Sequence, residues 1–407
     1  MDKIQIAFFF ISGFFISRIV IKTEIPQRLV SFLLHKRHTS FPRIVLYLIS
    51  LAAFLSFFVP NVITILTLLP LINIIITAYN ETGREVKSIP TILALAIMYG
   101  ANVGGMGSIT ATPANGILIT FIGLNEISGA ENLSFATWLL WGIPLVAGFI
   151  FLAWLLLYLF FRPTAERGSD YDITISFKSS NHHHFKLGVI LTLLYFVTSF
   201  LFSLLIISYP DYQLSLLVFT GIYTVIFILF IFFYPLNSSD EKEIKEPLLK
   251  LKDCYSNLPI KGFIYVGISI IIAGLLYVFN LQEPFSNFIN QLIPSGLSVY
   301  MLFLLLALLT SFSTELLSNT AVQLSLFLIV VPLSALLNFS AIEALIIVTL
   351  SSTCAFMSPI ATGVNGLAFG GVKNVSFKLM LAVGFLMNII GALYISFYIR
   401  FVVLKFL

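Results

Sequence analysis

The residues best suited to chemistry in this chain are a few amides, hydroxyls, glycines and prolines set inside apolar sequence, and their pattern occurs twice. Phe57-Phe58-Val59-Pro60-Asn61-Val62 is paired with Gly104-Gly105-Met106-Gly107-Ser108-Ile109-Thr110-Ala111-Thr112-Pro113-Ala114-Asn115. Thr314-Glu315-Leu316-Leu317-Ser318-Asn319-Thr320 is paired in the same way with Ala355-Phe356-Met357-Ser358-Pro359-Ile360-Ala361-Thr362-Gly363-Val364-Asn365. Where a helix reverses or unwinds inside a membrane, backbone groups lose their partners, and such backbone persists only where it lines a cavity. The amide start of a helix favours an anion, by ~0.3–1 kcal/mol and by ~2 kcal/mol when partly buried. Exposed carbonyls, with Ser56 and Thr314 five residues before each asparagine, form an oxygen set for a hard cation such as sodium. The predicted chemistry is reversible binding of a cation and an anion at one hairpin tip.

The second member of each pair supplies the other wall. Gly104, Gly105 and Gly107 ahead of Pro113, and Ser358-Pro359 ahead of Gly363, predict unwinding that frees carbonyls near Ala111 and Ala361. Thr112 and Thr362 add hydroxyls, and Asn115 and Asn365 are expected to cap the helix restarts. Both halves together give two cation sites flanking one central anion site. Taken singly, an intramembrane asparagine is interhelical glue and a glycine with proline is a kink. Four such interruptions repeating as two pairs favour the site reading, because paired interruptions in the two halves of a chain mark the binding region of secondary transporters.

These motifs need helices to position them, and the composition provides for little else. The chain has 407 residues, 59% hydrophobic and 10% charged, with a mean hydropathy of +1.03. That leaves too little polar side chain to cover a soluble globule of this size. Apolar runs long enough to cross a core of ~30 Å lie at Ile4–Ile21, Ile89–Leu124, Thr137–Phe161, Leu187–Ser208, Leu214–Tyr234, Phe263–Phe279, Ala341–Gly370 and Leu379–Leu404. Two more, Ile44–Ala78 and Val299–Leu337, are cut by the asparagine motifs and read as re-entrant hairpins or as pairs of spans; either way the chain returns to the same side. The expected fold is an all-α polytopic membrane protein with inverted repeats, about eight transmembrane helices, two re-entrant helical hairpins and two discontinuous helices. The first run lacks a basic leader and a cleavage site, so it reads as a retained helix.

Of the 22 lysines and arginines, 19 fall in segments 18–43, 84–87, 162–186, 242–261 and 373–378, and the opposite connectors 125–134, 209–213, 281–297 and 338–342 hold none. The basic side is expected to be cytoplasmic in the cell (inner) membrane. This parity needs eight crossings and two return elements, which opens one hairpin inward and the other outward. A shift of 258 residues lays Lys3–Asn61 over Lys261–Asn319 without a gap. Connectors 22–43 and 280–298 mix charged or amide residues with apolar ones at helical spacing and read as interfacial arms. Two helices, Leu187–Tyr234, have no counterpart before Met1, so the chain is either a compact form or incomplete at its N-terminus.

Other motifs carry less. The net charge of +4 sits in connectors, as membrane topology requires, and does not point to nucleic acid. Cys254 and Cys354 have no metal or disulfide spacing. His182-His183-His184 reads as a solvated loop rather than a metal tract. Gly104–Thr110 lacks the lysine of a phosphate-binding loop and follows no strand. No nucleophile, base or cofactor constellation supports an enzyme. Glu315 reads as a local structural partner near the tip, with a proton carrier as the other reading.

Thr314–Thr320 with Ala355–Thr362 resembles the second-repeat signature of the divalent anion/sodium symporter family, sodium-coupled carriers of dicarboxylates, citrate and sulfate within the ion transporter superfamily. Asn102–Gly107 through Thr112–Asn115 resembles its first-repeat counterpart. The resemblance, running from about Lys3 to the C-terminus, implies sodium as coupling ion, no other cofactor, and an elevator-type motion of a transport unit against a dimeric scaffold. It implies one sodium site from Ser56, Asn61 and the Ala111 carbonyl, and another from Thr314, Asn319 and the Ala361 carbonyl. Substrate would meet Asn61, Thr112, Pro113, Ser318, Asn319, Thr320, Thr362 and Gly363. The implied division is a scaffold helix and arm (1–43), a first transport repeat (44–161), scaffold helices and a second arm (162–298), and a second transport repeat (299–407). The family's first Ser-Asn-Thr is here Pro60-Asn61-Val62, and its Pro-Pro-Asn is Pro113-Ala114-Asn115 and Gly363-Val364-Asn365, so two hydroxyls leave one half of the pocket. The expected function is secondary active, sodium-coupled transport of a di- or tricarboxylate or sulfate by alternating access. The alternatives are a proton-coupled or metalloid-anion antiporter of related fold, or a ligand-binding paralogue that does not transport.

Overall fold

In the computed structural model of the chain, the described residues are 3–25, 28, 40–81, 87–125, 127–130, 133–161, 182–237, 245–255 and 298–405. The expected span Phe263–Phe279, most of the first interfacial arm and nearly all of the second lie outside them. The described chain is mainly helical, with a small antiparallel ribbon, Pro235–Asn237 (β1) with Lys245–Pro247 (β2). In order, the helices are α1 (Lys3–Lys22), α2 (Phe41–Ser56), α3 (Asn61–Glu81), α4 (Ile89–Gly104), α5 (Pro113–Asn125), α6 (Phe135–Phe160), α7 (His182–Ser208), α8 (Gln213–Phe233), α9 (Leu251–Tyr255), α10 (Val299–Ser313), α11 (Asn319–Leu337), α12 (Ala341–Ser352), α13 (Gly363–Gly371) and α14 (Phe377–Phe401).

Helix α8 shows which solvent this fold is built for. Its buried residues are Thr220, Thr224, Phe227 and Ile231, one stripe at helical spacing, while Leu214, Val218, Phe219, Ile222, Val225, Ile226 and Leu229 are exposed. Hydrocarbon outside, with two threonines among the four buried residues, is the reverse of a water-soluble helix. Four described helices, 135–160, 184–208, 210–233 and 377–401, are long and apolar enough to span. The protein is an integral membrane protein.

Packing follows one scheme in both halves. α2 lies on α4 and α6 as α10 lies on α12 and α14; α3 on α4 as α11 on α12; and, between halves, α3 on α13 as α11 on α5. α2 and α10 begin 258 residues apart, as do α3 and α11, which is the offset read from the sequence. Close approach depends on glycine. A Cβ at Gly100 or Gly104, one turn apart on α4, would strike the α2 backbone at Ile49 and Ala53, the small-residue contact that draws membrane helices together. Gly142 on α6 and Gly384 on α14 likewise admit the unwound backbone at Gly107 and at Phe356–Met357.

Local sequence sets the boundaries. Pro60, without an N–H and restricting the residue before it, stops α2 from running into α3; its carbonyl then accepts from Ile63 N and Thr64 N. Ser318 does the same task by capping, its Oγ accepting from Ala321 N at 3.1 Å. The histidine tract differs from expectation: His182–His184 open helix α7 rather than lying in a loop. Among the described residues no cluster of His, Cys, Asp and Glu could hold a metal.

Candidate functional site

Both discontinuous helices appear as read from the sequence, with breaks between Gly104 and Pro113 and between Ser352 and Gly363. Each break is held by one asparagine. Asn115 Nδ2 donates to Gly105 O at 3.0 Å and Ser108 O at 2.8 Å. Asn365 Nδ2 donates to Ala355 O and Ser358 O, both at 2.8 Å. These clasps, 250 residues apart, correct the capping role expected for Asn115 and Asn365. The caps come instead from Thr112 and Thr362, whose hydroxyls accept from Asn115 N at 3.4 Å and Asn365 N at 3.1 Å. The reason is position: a cap precedes the helix, and here the asparagine sits within its first turn, facing back across the break.

The asparagines at the hairpin tips are the first residues of α3 and α11. Asn61 Oδ1 and Asn319 Oδ1 are both buried without a hydrogen-bond partner. Asn61 lies beside the first break, since a Cβ at Gly105 would come within 3.4 Å of its Oδ1 and would also strike the Thr112 methyl. Its neighbour Val62 lies beside Gly363 of the other half, 3.6 Å from where a Cβ would stand. The hydroxyls before each tip spend their hydrogens locally: Ser56 Oγ donates to Thr64 Oγ1 at 3.1 Å, and Thr314 Oγ1 to Ser311 O at 2.8 Å. Their lone pairs are left for an electron-pair acceptor. Both side chains are fully buried.

Glu315 ties the second tip to the second break. Its Oε1 accepts from Met357 N at 2.8 Å and Asn388 Nδ2 at 2.7 Å, and its Oε2 from Ser358 N at 2.7 Å. Asn388 Oδ1 in turn accepts from Phe356 N at 3.1 Å. The carboxylate is thus a structural partner of unwound amides, in line with the local reading.

The halves are also stitched to each other. Asn102 Nδ2 donates to Ala355 O at 3.3 Å and Asn365 Oδ1 at 3.2 Å. Gln323 Nε2 donates to Ala114 O at 2.8 Å and Thr349 Oγ1 at 3.1 Å. From the other side, Tyr195 on α7 donates to Phe9 O at 3.0 Å and lies 3.3 Å from Thr110 Oγ1 in the first break. Phe58 of the first tip meets Phe196, with ring centroids 4.9 Å apart. Asn102 entered from sequence only as the first residue of the Asn102–Gly107 motif, and Gln323, Asn388 and Tyr195 were not singled out. A lone amide inside an apolar run was the available signal for the first three.

Of the candidate residues, Asn61, Thr112 and the first break come together, as do Thr314, Glu315 and the second break. Ser318 spends one lone pair on its cap, accepting from Ala321 N. Thr362 is committed, since it also donates to Asn365 Oδ1 at 2.9 Å. Gly363 and Pro113 are exposed, while Thr320 and Ala361 are half-buried. The arrangement has buried acceptor oxygens beside helix starts and no reacting group.

Known proteins are similar to this sequence. A family described as "Citrate transporter" matches residues 3–252. The chain is 25% identical over 412 residues to the "Sodium-dependent dicarboxylate transporter SdcS" of Staphylococcus saprophyticus, covering 98% of this chain and 76% of the relative. It is 24% identical over 413 residues to the protein of the same name in Staphylococcus aureus strain NCTC 8325, with the same coverages.

Proposed function

This chain belongs to the citrate transporter family, whose members are transporters rather than enzymes, and we propose that it couples sodium to the passage of a small di- or tricarboxylate across the membrane. Sulfate is the other anion of the class. The observation that carries this reading is the pair of orphaned amide oxygens, Asn61 Oδ1 and Asn319 Oδ1, buried where a hairpin starts its second arm. An unmatched buried acceptor costs ~1–3 kcal/mol, and a bound cation removes that cost. One sodium is held by Ser56, Asn61 and the Ala111 carbonyl, the other by Thr314, Asn319 and the Ala361 carbonyl. The anion meets Asn61, Thr112, Pro113, Ser318, Asn319, Thr320, Thr362 and Gly363 at the starts of α3, α5, α11 and α13, Thr362 through its backbone because Asn365 already holds its hydroxyl. The curated relatives' names, both sodium-dependent dicarboxylate transporters, agree with this choice of ion and substrate.

The moving part is the pair of repeats, 44–161 and 299–407, in inverted orientation. The bonds from Asn102 and Gln323 across the halves favour motion as one body, elevator-fashion, against a scaffold containing α1, α7 and α8 in a homodimer. The basic connectors face the cytoplasm. Two sodium ions balance a dianion, so the membrane potential, worth ~2.3 kcal/mol per charge per 100 mV, adds no drive, and the sodium gradient supplies the coupling.

Uptake of radiolabelled succinate, citrate and sulfate into proteoliposomes, with and without an inward sodium gradient, tests the proposal. Sodium-driven accumulation of at least one of them is expected. Equal uptake in choline, or accumulation driven only by a proton gradient, would overturn it.

A further inference from the structure

We propose that the anion site is one-sided: it grips one carboxylate at the second tip, while Val62 and Pro60 turn an apolar wall to the other end of the substrate. The chain therefore takes a short monocarboxylate about as well as the matching dicarboxylate. This deepens the carboxylate reading given above, on which it rests, by naming the end of the substrate that is held. The 258-residue offset sets Pro60, Asn61 and Val62 against Ser318, Asn319 and Thr320. In both triplets the asparagine is the first residue of the hairpin's second arm. Its flanking residues differ. The second tip brings two hydroxyls, which can donate to an anion; the first puts a pyrrolidine ring and an isopropyl group at the same two places.

Val62 is placed to touch substrate. It is 39% exposed, although Thr64 and Ile65 just beyond it are fully buried. A Cβ on Gly363 would stand 3.6 Å from Val62 Cγ2, an ordinary contact distance, so the glycine that opens α13 leaves room beside the isopropyl group. Pro60 is exposed as well, and it has no N–H to offer. The amides of Ile63 and Thr64 turn back onto Pro60 O at 2.8 and 3.2 Å. A carboxylate pressed against this wall loses water and gains no hydroxyl donor in return, whereas a hydrocarbon end loses nothing there. The Asn61 side chain still gives a dicarboxylate one polar neighbour. What the first tip lacks is the advantage of about tenfold or more that each charge-assisted hydroxyl bond would add.

The test is the thermal unfolding temperature of the purified protein in detergent and sodium chloride, titrated with succinate or with butyrate at neutral pH and constant ionic strength. Each anion that binds raises this temperature with its own half-saturating concentration. In the wild type succinate should be favoured over butyrate by no more than about tenfold. Val62→Thr, which exchanges a methyl for a hydroxyl at nearly constant volume, should raise the preference for succinate by about threefold or more. Thr320→Val should weaken both anions and change their ratio by less than about threefold, because the carboxylate held there is common to both. A larger wild-type preference for succinate would overturn the inference. So would a Val62→Thr ratio like that of the wild type, or a Thr320→Val ratio shifted as far as that of Val62→Thr. If Val62→Thr does not purify folded, Val62→Ser supplies the same hydroxyl and is read in the same way. Failure of the carboxylate reading itself looks different, because neither anion would then stabilise the wild type.

Discussion

At the second tip a carboxylate and an amide, Glu315 and Asn388, gather the amides of Phe356, Met357 and Ser358. At the same place in the first half the ring of Phe57 lies against Gly107, and the indole of Trp138 donates to Met106 O at 2.9 Å. The backbone course is shared while the means of holding it differ: polar and charged in one half, aromatic in the other. The clasps differ similarly. Asn365 Oδ1 receives hydrogens from Asn102 and Thr362, but Asn115 Oδ1 receives none. The residue placed like Asn102 is Ser352, which is too short to cross and bonds Thr349 O at 2.7 Å instead. The two halves thus keep a matched geometry through glycine contacts and clasps while the groups that hold their tips differ.

Variants at matched positions can break or sharpen this comparison. The largest effect is expected from Asn319→Ala, which should cut initial sodium-driven uptake by roughly a hundredfold, against roughly tenfold for Asn61→Ala, losses of about 2.7 and 1.4 kcal/mol. Equal losses in proteoliposome rates would mean the tips are equivalent. Next, Asn388→Ala should destabilise the protein by ~2–4 kcal/mol, since it strands a backbone amide and strips a donor from a buried carboxylate. Its counterpart on α6, Val146→Ala, should cost only ~1–1.5 kcal/mol of lost packing; unfolding in detergent ranks the two. Thr362→Val should cost ~1–2 kcal/mol through cap and clasp together, and Thr112→Val less than ~0.5 kcal/mol because its cap bond is long. The smallest change runs the other way: Pro60→Ser supplies the cap that Ser318 provides in the other half and should stabilise by ~0.5–1 kcal/mol.

Much of this architecture was legible because its signals are local. Asn61 and Asn319 begin helices as read, since Pro60 and Ser318 are stop and start signals that act on their own neighbours. The breaks at Gly104–Pro113 and Ser352–Gly363 followed from glycine and proline chemistry. What could not be read were the partners that tertiary contact chooses. Asn102 meets Asn365 across 263 residues, and nothing near either position announces the meeting. Asn115 and Asn365 were expected as caps because local sequence offers that role, whereas the fold turns them back onto carbonyls and leaves capping to the threonines. His182–His184 were read as loop because polarity was weighed above the apolar helix they open. Glu315 was legible in kind, as a local structural partner, but its three donors belong to segments far along the chain.

The central claim is that a cation completes the orphaned oxygens at the hairpin tips, and a high-resolution structure determined in sodium and again in choline tests it most directly. The account predicts density enclosed by Thr314 Oγ1, Asn319 Oδ1 and the Ala361 carbonyl in sodium, and its loss in choline. Identical maps in the two salts, or Asn319 turned toward lipid, would contradict it.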